Sequence, residues 1–228
     1  MRLDLTSTPV APTIIVGFPS LGLVGPITIE FLTEHLKTER IGTFSYDELP
    51  PTMAIHKGKL VHPMSAHYSK EKNLLLLYTI LNPTGNEWSL AREIARVAKE
   101  LNAKEVIAID AANAVGEDGE NVFSFGNPAL LAHGTQKMDE SVIGGTTGAL
   151  LITHPTTTCI FASAHQELQD AKAAASVVQI LDKHLGLGVD YHPLLEQASH
   201  FEEKLKGLIA QGKKLNQAKE DRDLSYLG

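Results

Sequence analysis

The chain has little of what several functional classes require. Its single cysteine, Cys159, leaves no internal disulfide to form, and the apolar run Thr157-Thr158-Cys159-Ile160-Phe161-Ala162 around it reads as a buried strand. A reducing, cytoplasmic setting follows. Aromatic residues make up only 6% of the sequence, too few for a surface built to stack bases. Acids outnumber bases, 27 Asp and Glu against 20 Lys and Arg, for a formal charge of -7. Nucleic-acid binders concentrate the opposite sign, so no nucleic-acid partner is expected. No run approaches the ~20 apolar residues that span a bilayer. The opening Met1-Arg2-Leu3-Asp4-Leu5-Thr6 places an acid where a signal peptide needs its apolar core, so neither export nor a membrane is expected.

Catalytic and cofactor signatures are also missing. There is no Gly-x-Gly-x-x-Gly, no Gly-Lys-Ser/Thr and no Gly-x-Ser-x-Gly elbow. Ten histidines are scattered along the chain without zinc-ligand spacing. His62 and His67 stand five apart in a strand-loop region, and His184 and His192 flank a glycine turn. Neither a metal centre nor a cofactor is predicted.

What is present is the pattern of one α/β domain. The 228 residues, 43% hydrophobic and 21% charged, suffice for a sizeable core. Residues 1 to 12 read as a polar arm ending in Pro9 and Pro12. Thr13 to Val16, Leu74 to Leu81, Val106 to Asp110 and Cys159 to Ser163 are apolar on both faces, as central strands covered on two sides must be. Helical spacing runs from Ile29 to about Lys37, and again through Leu90, Ile94, Val97 and Leu101, where Thr84 or Asn86 would cap the start. An alanine-rich helix is predicted from about Gln169 to Leu185. Ile41 to Tyr46 and a pair of short strands from Met53 to Val61, turning at Lys57-Gly58, extend the sheet. From Ala111 to Thr158 glycine, asparagine and proline punctuate short apolar pieces such as Val122-Phe123-Ser124-Phe125, and short strands near 121 to 137 are expected to extend the sheet as antiparallel or mixed pairs. The expected architecture is a three-layer α/β/α sandwich with a mixed, largely parallel sheet.

A sandwich domain over residues 1–192 is followed by a predicted long C-terminal helix and tail over 193–228. The helix carries the stripe Leu194, Leu195, Ala198, Phe201, Leu205, Leu208, Ile209 and Leu215. At about seven turns it overruns a sheet helix, so part of it is expected on a neighbouring subunit. The tail ends Leu224-Ser225-Tyr226-Leu227-Gly228, a candidate docking peptide through Leu224, Tyr226 and Leu227.

Two places could carry chemistry. The turn Gly17-Phe18-Pro19-Ser20-Leu21-Gly22-Leu23-Val24-Gly25 links the first central strand to the first helix, and Gly17, Gly22 and Gly25 could cradle an anion. Its interior residues Phe18, Leu21, Leu23 and Val24 are apolar, however, which suits close packing better. Asp110 ends a central strand, the usual place for a ligand-binding acid in an open α/β sheet. With His154 or His165 as proton carriers, these define the rival reading, an enzyme or small-molecule binder for nucleosides or phosphate esters.

The same glycine turn resembles the opening signature of the PAC2 family, the proteasome assembly chaperone 2 family with its archaeal relatives. Later segments agree in order: Glu87-Trp88, Ile143-Gly144-Gly145-Thr146-Thr147-Gly148-Ala149-Leu150-Leu151, Asp170-Ala171-Lys172-Ala173-Ala174, and Val189-Asp190-Tyr191-His192-Pro193 with Glu202-Glu203. The resemblance covers about residues 13 to 210. It implies a fold similar to the nucleoside-phosphorylase sandwich, no established catalytic site, and a homo-oligomer proposed to chaperone proteasome assembly through α-subunits. Some relatives dock through a terminal hydrophobic-Tyr-any tail. This chain departs from that pattern, because Tyr226 stands third from the end. The shift moves the carboxylate by ~3.3 Å relative to the ring, enough to spoil a two-point fit.

Overall fold

The runs that are apolar on both faces lie at the centre of the molecule. The computed structural model describes residues 1–47, 53–56, 59–113, 121–164 and 170–196. In chain order its strands are β1 (Arg2–Leu5), β2 (Thr13–Gly17), β3 (Glu39–Ser45), β4 (Ala54–His56), β5 (Lys59–Val61), β6 (Met64–Ser69), β7 (Leu74–Thr79), β8 (Glu105–Asn113), β9 (Val122–Phe125), β10 (Gln136–Lys137) and β11 (Thr158–Ala164). The helices are α1 (Val24–His35), α2 (Glu87–Glu100), α3 (Gly145–Thr153) and α4 (Ala171–Leu185).

Nine strands form one sheet in the order β1-β3-β6-β7-β2-β8-β11-β9-β10, and β4 and β5 pair only with each other. The four central strands β7, β2, β8 and β11 are parallel. Antiparallel pairs extend the sheet on both sides, from β7 through β6 and β3 to β1, and from β11 to β9. The sheet is therefore mixed, with its parallel part where the crossover helices cover both faces.

Strand alternation explains the continuous apolar runs. Ile15, Leu74, Leu76, Ile107, Ile109 and Ile160 point to the layer of α1 and α4, while Ile14, Val16, Leu75, Leu77, Val106, Cys159 and Phe161 point to α2 and α3. In α2 the stripe Leu90, Ile94, Val97 and Leu101 is buried as its spacing predicts. Asn86 holds the N-cap position of α2 without a side-chain capping bond. Asp170 caps α4 properly, its carboxylate accepting the Ala173 N–H at 2.9 Å, and Gly186 ends that helix at φ +61°.

Three features differ from the sequence reading: β4 and β5 form a sheet of their own instead of extending the main one, and β1 and α3 were not expected. The polar arm begins with β1, whose alternation buries Leu3 against α2. β9 and β10 fall in the 121–137 stretch expected to extend the sheet, but α3, a helix that starts on two glycines and packs beside α2, was not expected. Residues 197–228, which include most of the predicted C-terminal helix and the tail Leu224, Tyr226 and Leu227, lie outside the described residues, as does His165.

The outer edge of β1 is covered. Leu3 N–H donates to Glu93 Oε1 at 2.6 Å, and Leu3 O accepts from Arg96 Nη2 at 3.5 Å, so an ion pair on α2 occupies the place of a next strand. Burial alone would raise the Glu93 carboxyl; hydrogen bonds from Arg96 and Leu3, with the Arg96 charge, outweigh it and hold the group below its usual range. Among the described residues no helix is long and apolar enough to cross a membrane.

Candidate functional site

At the C-terminal ends of the parallel strands, β2 runs into the glycine turn. Gly17 and Gly25 meet backbone to backbone: a Cβ on Gly17 would stand 2.4 Å from Gly25 O, and one on Gly25 would stand 2.8 Å from Gly17 Cα. Gly22 sits at φ +63°, and the space beside it is taken by the side chains of Asp170 and Ala164, 2.8 Å and 3.0 Å from where its Cβ would be. The Asp170 N–H donates to Gly22 O at 2.8 Å, fastening the turn to the start of α4. Leu23, a non-glycine residue, also adopts a left-handed conformation at φ +51°. The three glycines thus serve close approach of β2, α1 and α4, the role their apolar neighbours favour.

Asp110 lies one strand over, and both its oxygens are engaged. Oδ1 accepts the Ala111 N–H at 2.8 Å and Oδ2 accepts the Thr147 hydroxyl at 2.5 Å, which ties β8 to α3. Cys159, on the adjacent β11, is fully buried, and burial together with the Asp110 charge pushes its thiol up to about 12. A thiol in that state is a packing group rather than a nucleophile.

His154 does not join Asp110. It caps the far end of α3, with Nδ1 3.0 Å from Thr157 Oγ1, and lines a cleft of about 620 Å³ at the opposite edge of the sheet, where β2, β8 and β11 begin. The central group of that cleft is Glu105. Its Oε1 accepts from Asn127 Nδ2 at 2.8 Å and Thr158 Oγ1 at 2.9 Å, and its Oε2 stands 3.0 Å from His184 Nε2. Burial would raise the Glu105 carboxyl, but these hydrogen bonds and the His184 charge hold it below the usual range. The His133 ring lies 5.7 Å from that of His184. No spacing rule links positions 105, 127, 158 and 184, so the cluster is invisible to motif reading. Among the described residues no group of three or more His, Cys, Asp and Glu could hold a metal ion.

These features define a class: an α/β/α sandwich in which the acid beside the glycine turn, Asp110, is taken up by the fold's own donors, while His184 pairs with Glu105 at the opposite edge of the sheet. The PAC2 family model matches residues 14–209, and the chain belongs to the PAC2 family. An uncharacterized protein of Methanocaldococcus jannaschii is 28% identical over 212 residues, covering 90% of this chain and 88% of that protein. The crystal structure of Pyrococcus furiosus PbaA, an archaeal homolog of proteasome-assembly chaperone, superposes with a TM-score of 0.85 at 26% identity, over 97% of this chain and 98% of that one. That of Pyrococcus furiosus PbaB, an archaeal proteasome activator, shares the fold with a TM-score of 0.75 at 19% identity, over 91% and 98%.

Proposed function

We propose that this protein is a non-enzymatic assembly factor for the proteasome, a homo-oligomer that works through protein-protein contacts. The observation that carries the reading is the likeness to PbaA along almost the whole of both chains. The geometry is consistent with it. Asp110 spends both oxygens on Ala111 and Thr147, and His154 faces the opposite edge, so the Asp110–His154 pair that the phosphate-ester alternative would use is not brought together. In this reading residues 1–192 form the sandwich body and residues 193–228 an arm; with Tyr226 third from the end, a contact of Leu224, Tyr226 and Leu227 with α-subunits would read the side chains without the terminal carboxylate.

The test is affinity capture with purified proteasome α-subunits, using the full chain and a chain lacking residues 221–228. Capture by the full chain and loss on truncation support both the function and the tail. Capture by both moves docking to the body. Capture by neither overturns the proteasome assignment.

A further inference from the structure

The bond between His184 and Glu105 leaves one nitrogen without a use. A carboxylate only accepts hydrogen bonds, so His184 Nε2, 3.0 Å from Glu105 Oε2, carries its proton, and in the neutral imidazole Nδ1 keeps its lone pair. Among the described residues nothing bonds to that Nδ1. A second imidazole stands beside it: the His133 ring centre is 5.7 Å away at a tilt of 58°, and its nitrogens have no hydrogen-bond partner among the described residues either. Positions 133 and 184 are too far apart in sequence for any spacing rule to join them.

Both rings are held from one centre. His184 lies in the last turn of α4, with 11% of its side chain exposed. His133 ends a short 3-10 helix, Pro128–His133, that packs on α4. Asn127 caps that helix, its Oδ1 accepting the Ala129 N–H at 3.0 Å, while its Nδ2 donates to Glu105 Oε1 at 2.8 Å. Glu105, anchored again by Thr158, thus fixes the start of one helix and the end of the other.

A histidine that gives one N–H to a carboxylate and keeps its other nitrogen open is the arrangement found around protein-bound metals, where the carboxylate sets the tautomer and the ring orientation. Imidazole suits zinc, copper and nickel rather than magnesium or calcium. With metal–nitrogen bonds of about 2.0–2.1 Å, two imidazoles on one tetrahedral ion have ring centres about 5 Å apart, so the observed separation closes with a shift of less than ~1 Å. We infer that His133 and His184 together bind one late first-row divalent cation, Zn²⁺ or Cu²⁺, with Glu105 as the positioning residue behind His184. Two protein ligands leave the other positions to water, so the ion is exchangeable and clips the 3-10 helix to the end of α4. The clip does not depend on the proteasome reading.

Titration calorimetry with ZnCl₂ tests it, on the full chain without an affinity tag, stripped with EDTA and dialysed. The expected result is one saturable equivalent of Zn²⁺ and no saturable binding of Mg²⁺. H133Q loses about tenfold or more in affinity, while its metal-free urea unfolding matches wild type. E105Q, which keeps both histidines, weakens binding by roughly 10–100-fold. H192Q, at an exposed histidine, leaves it unchanged. Because H184Q removes a buried partner of Glu105 and can unfold the chain, the second measurement is spectroscopic. In electron paramagnetic resonance, one equivalent of Cu²⁺ shows nitrogen splitting from two imidazoles in wild type and from one in H133Q. Absence of saturable Zn²⁺ binding overturns the site, as does binding that H133Q leaves intact or that H192Q weakens as much as H133Q. The same nitrogen count in wild type and H133Q puts the metal elsewhere and overturns it as well.

Discussion

At Gly17 and Gly25 two backbones touch where any other residue would place a carbon. Gly17→Ala or Gly25→Ala is expected to cost about 3 kcal/mol, as overpacking of a closed core does, measured by urea unfolding. Gly85→Ala is the control, since Gly85 has φ +82° but nothing within 4 Å of an added Cβ. Only conformational strain opposes it, about 1 kcal/mol. His67 is a second residue with a sharp expectation. Burial first, and the Arg40 charge second, lower it to about 4. The folded chain holds it neutral while the unfolded chain takes a proton near 6.5. Stability therefore falls as pH drops from about 6.5 to about 4 and then levels off, an effect of about 3 kcal/mol. His67→Gln should flatten the unfolding free energy across that window, as followed by urea titrations at successive pH values. The glycines were legible as packing residues because Phe18, Leu21 and Val24 surround them. The burial of His67 was not legible, because in β6 it shares with Ser65 and Ser69 a wholly polar face that strand alternation would assign to solvent.

Between elements, the bond network of β1 and α2 is the clearest dependency. Glu93→Ala leaves the Leu3 N–H and the Arg96 guanidinium without their buried partner, and a loss of about 2 kcal/mol is expected. The accompanying sign is faster amide hydrogen exchange at Leu3, with exchange in β7 and β8 changed only by the global loss. Asp170→Ala removes the side-chain cap of α4, which costs about 1 kcal/mol by thermal unfolding. Central strands and α2 were readable from the sequence because one physical rule, burial on two faces or on one stripe, set every residue in them. β1 was not read as a strand, although Arg2-Leu3-Asp4-Leu5 alternates, because four residues beside two prolines resemble an arm. α3 escaped because Gly144, Gly145 and Gly148 lower its intrinsic helicity; packing on α2 and the Thr147–Asp110 bond supply what propensity lacks.

For the molecule as a whole, Glu105 joins the starts of β8 and β11, the loop at Asn127 and the end of α4. Its folded carboxyl is held below its unfolded range, so its contribution is complete above the ordinary glutamate range and drains away as pH falls through the lowered value. Glu105→Gln should lower the melting temperature at neutral pH and leave a shallower decline under acid, in a window below that of His67. Architecture was legible at this scale because strand and helix alternate in sequence; the Glu105 cluster was not, because its members meet only after the chain has crossed the sheet repeatedly. The glycine turn has the same dependence on distant sequence, and it bears on synthesis. The Asp170 N–H that fastens Gly22 is made long after the turn itself. At 5–20 residues per second the ribosome needs roughly 7–30 s to supply it. During that interval the nascent β2 and α1 lack the clasp that α4 later supplies.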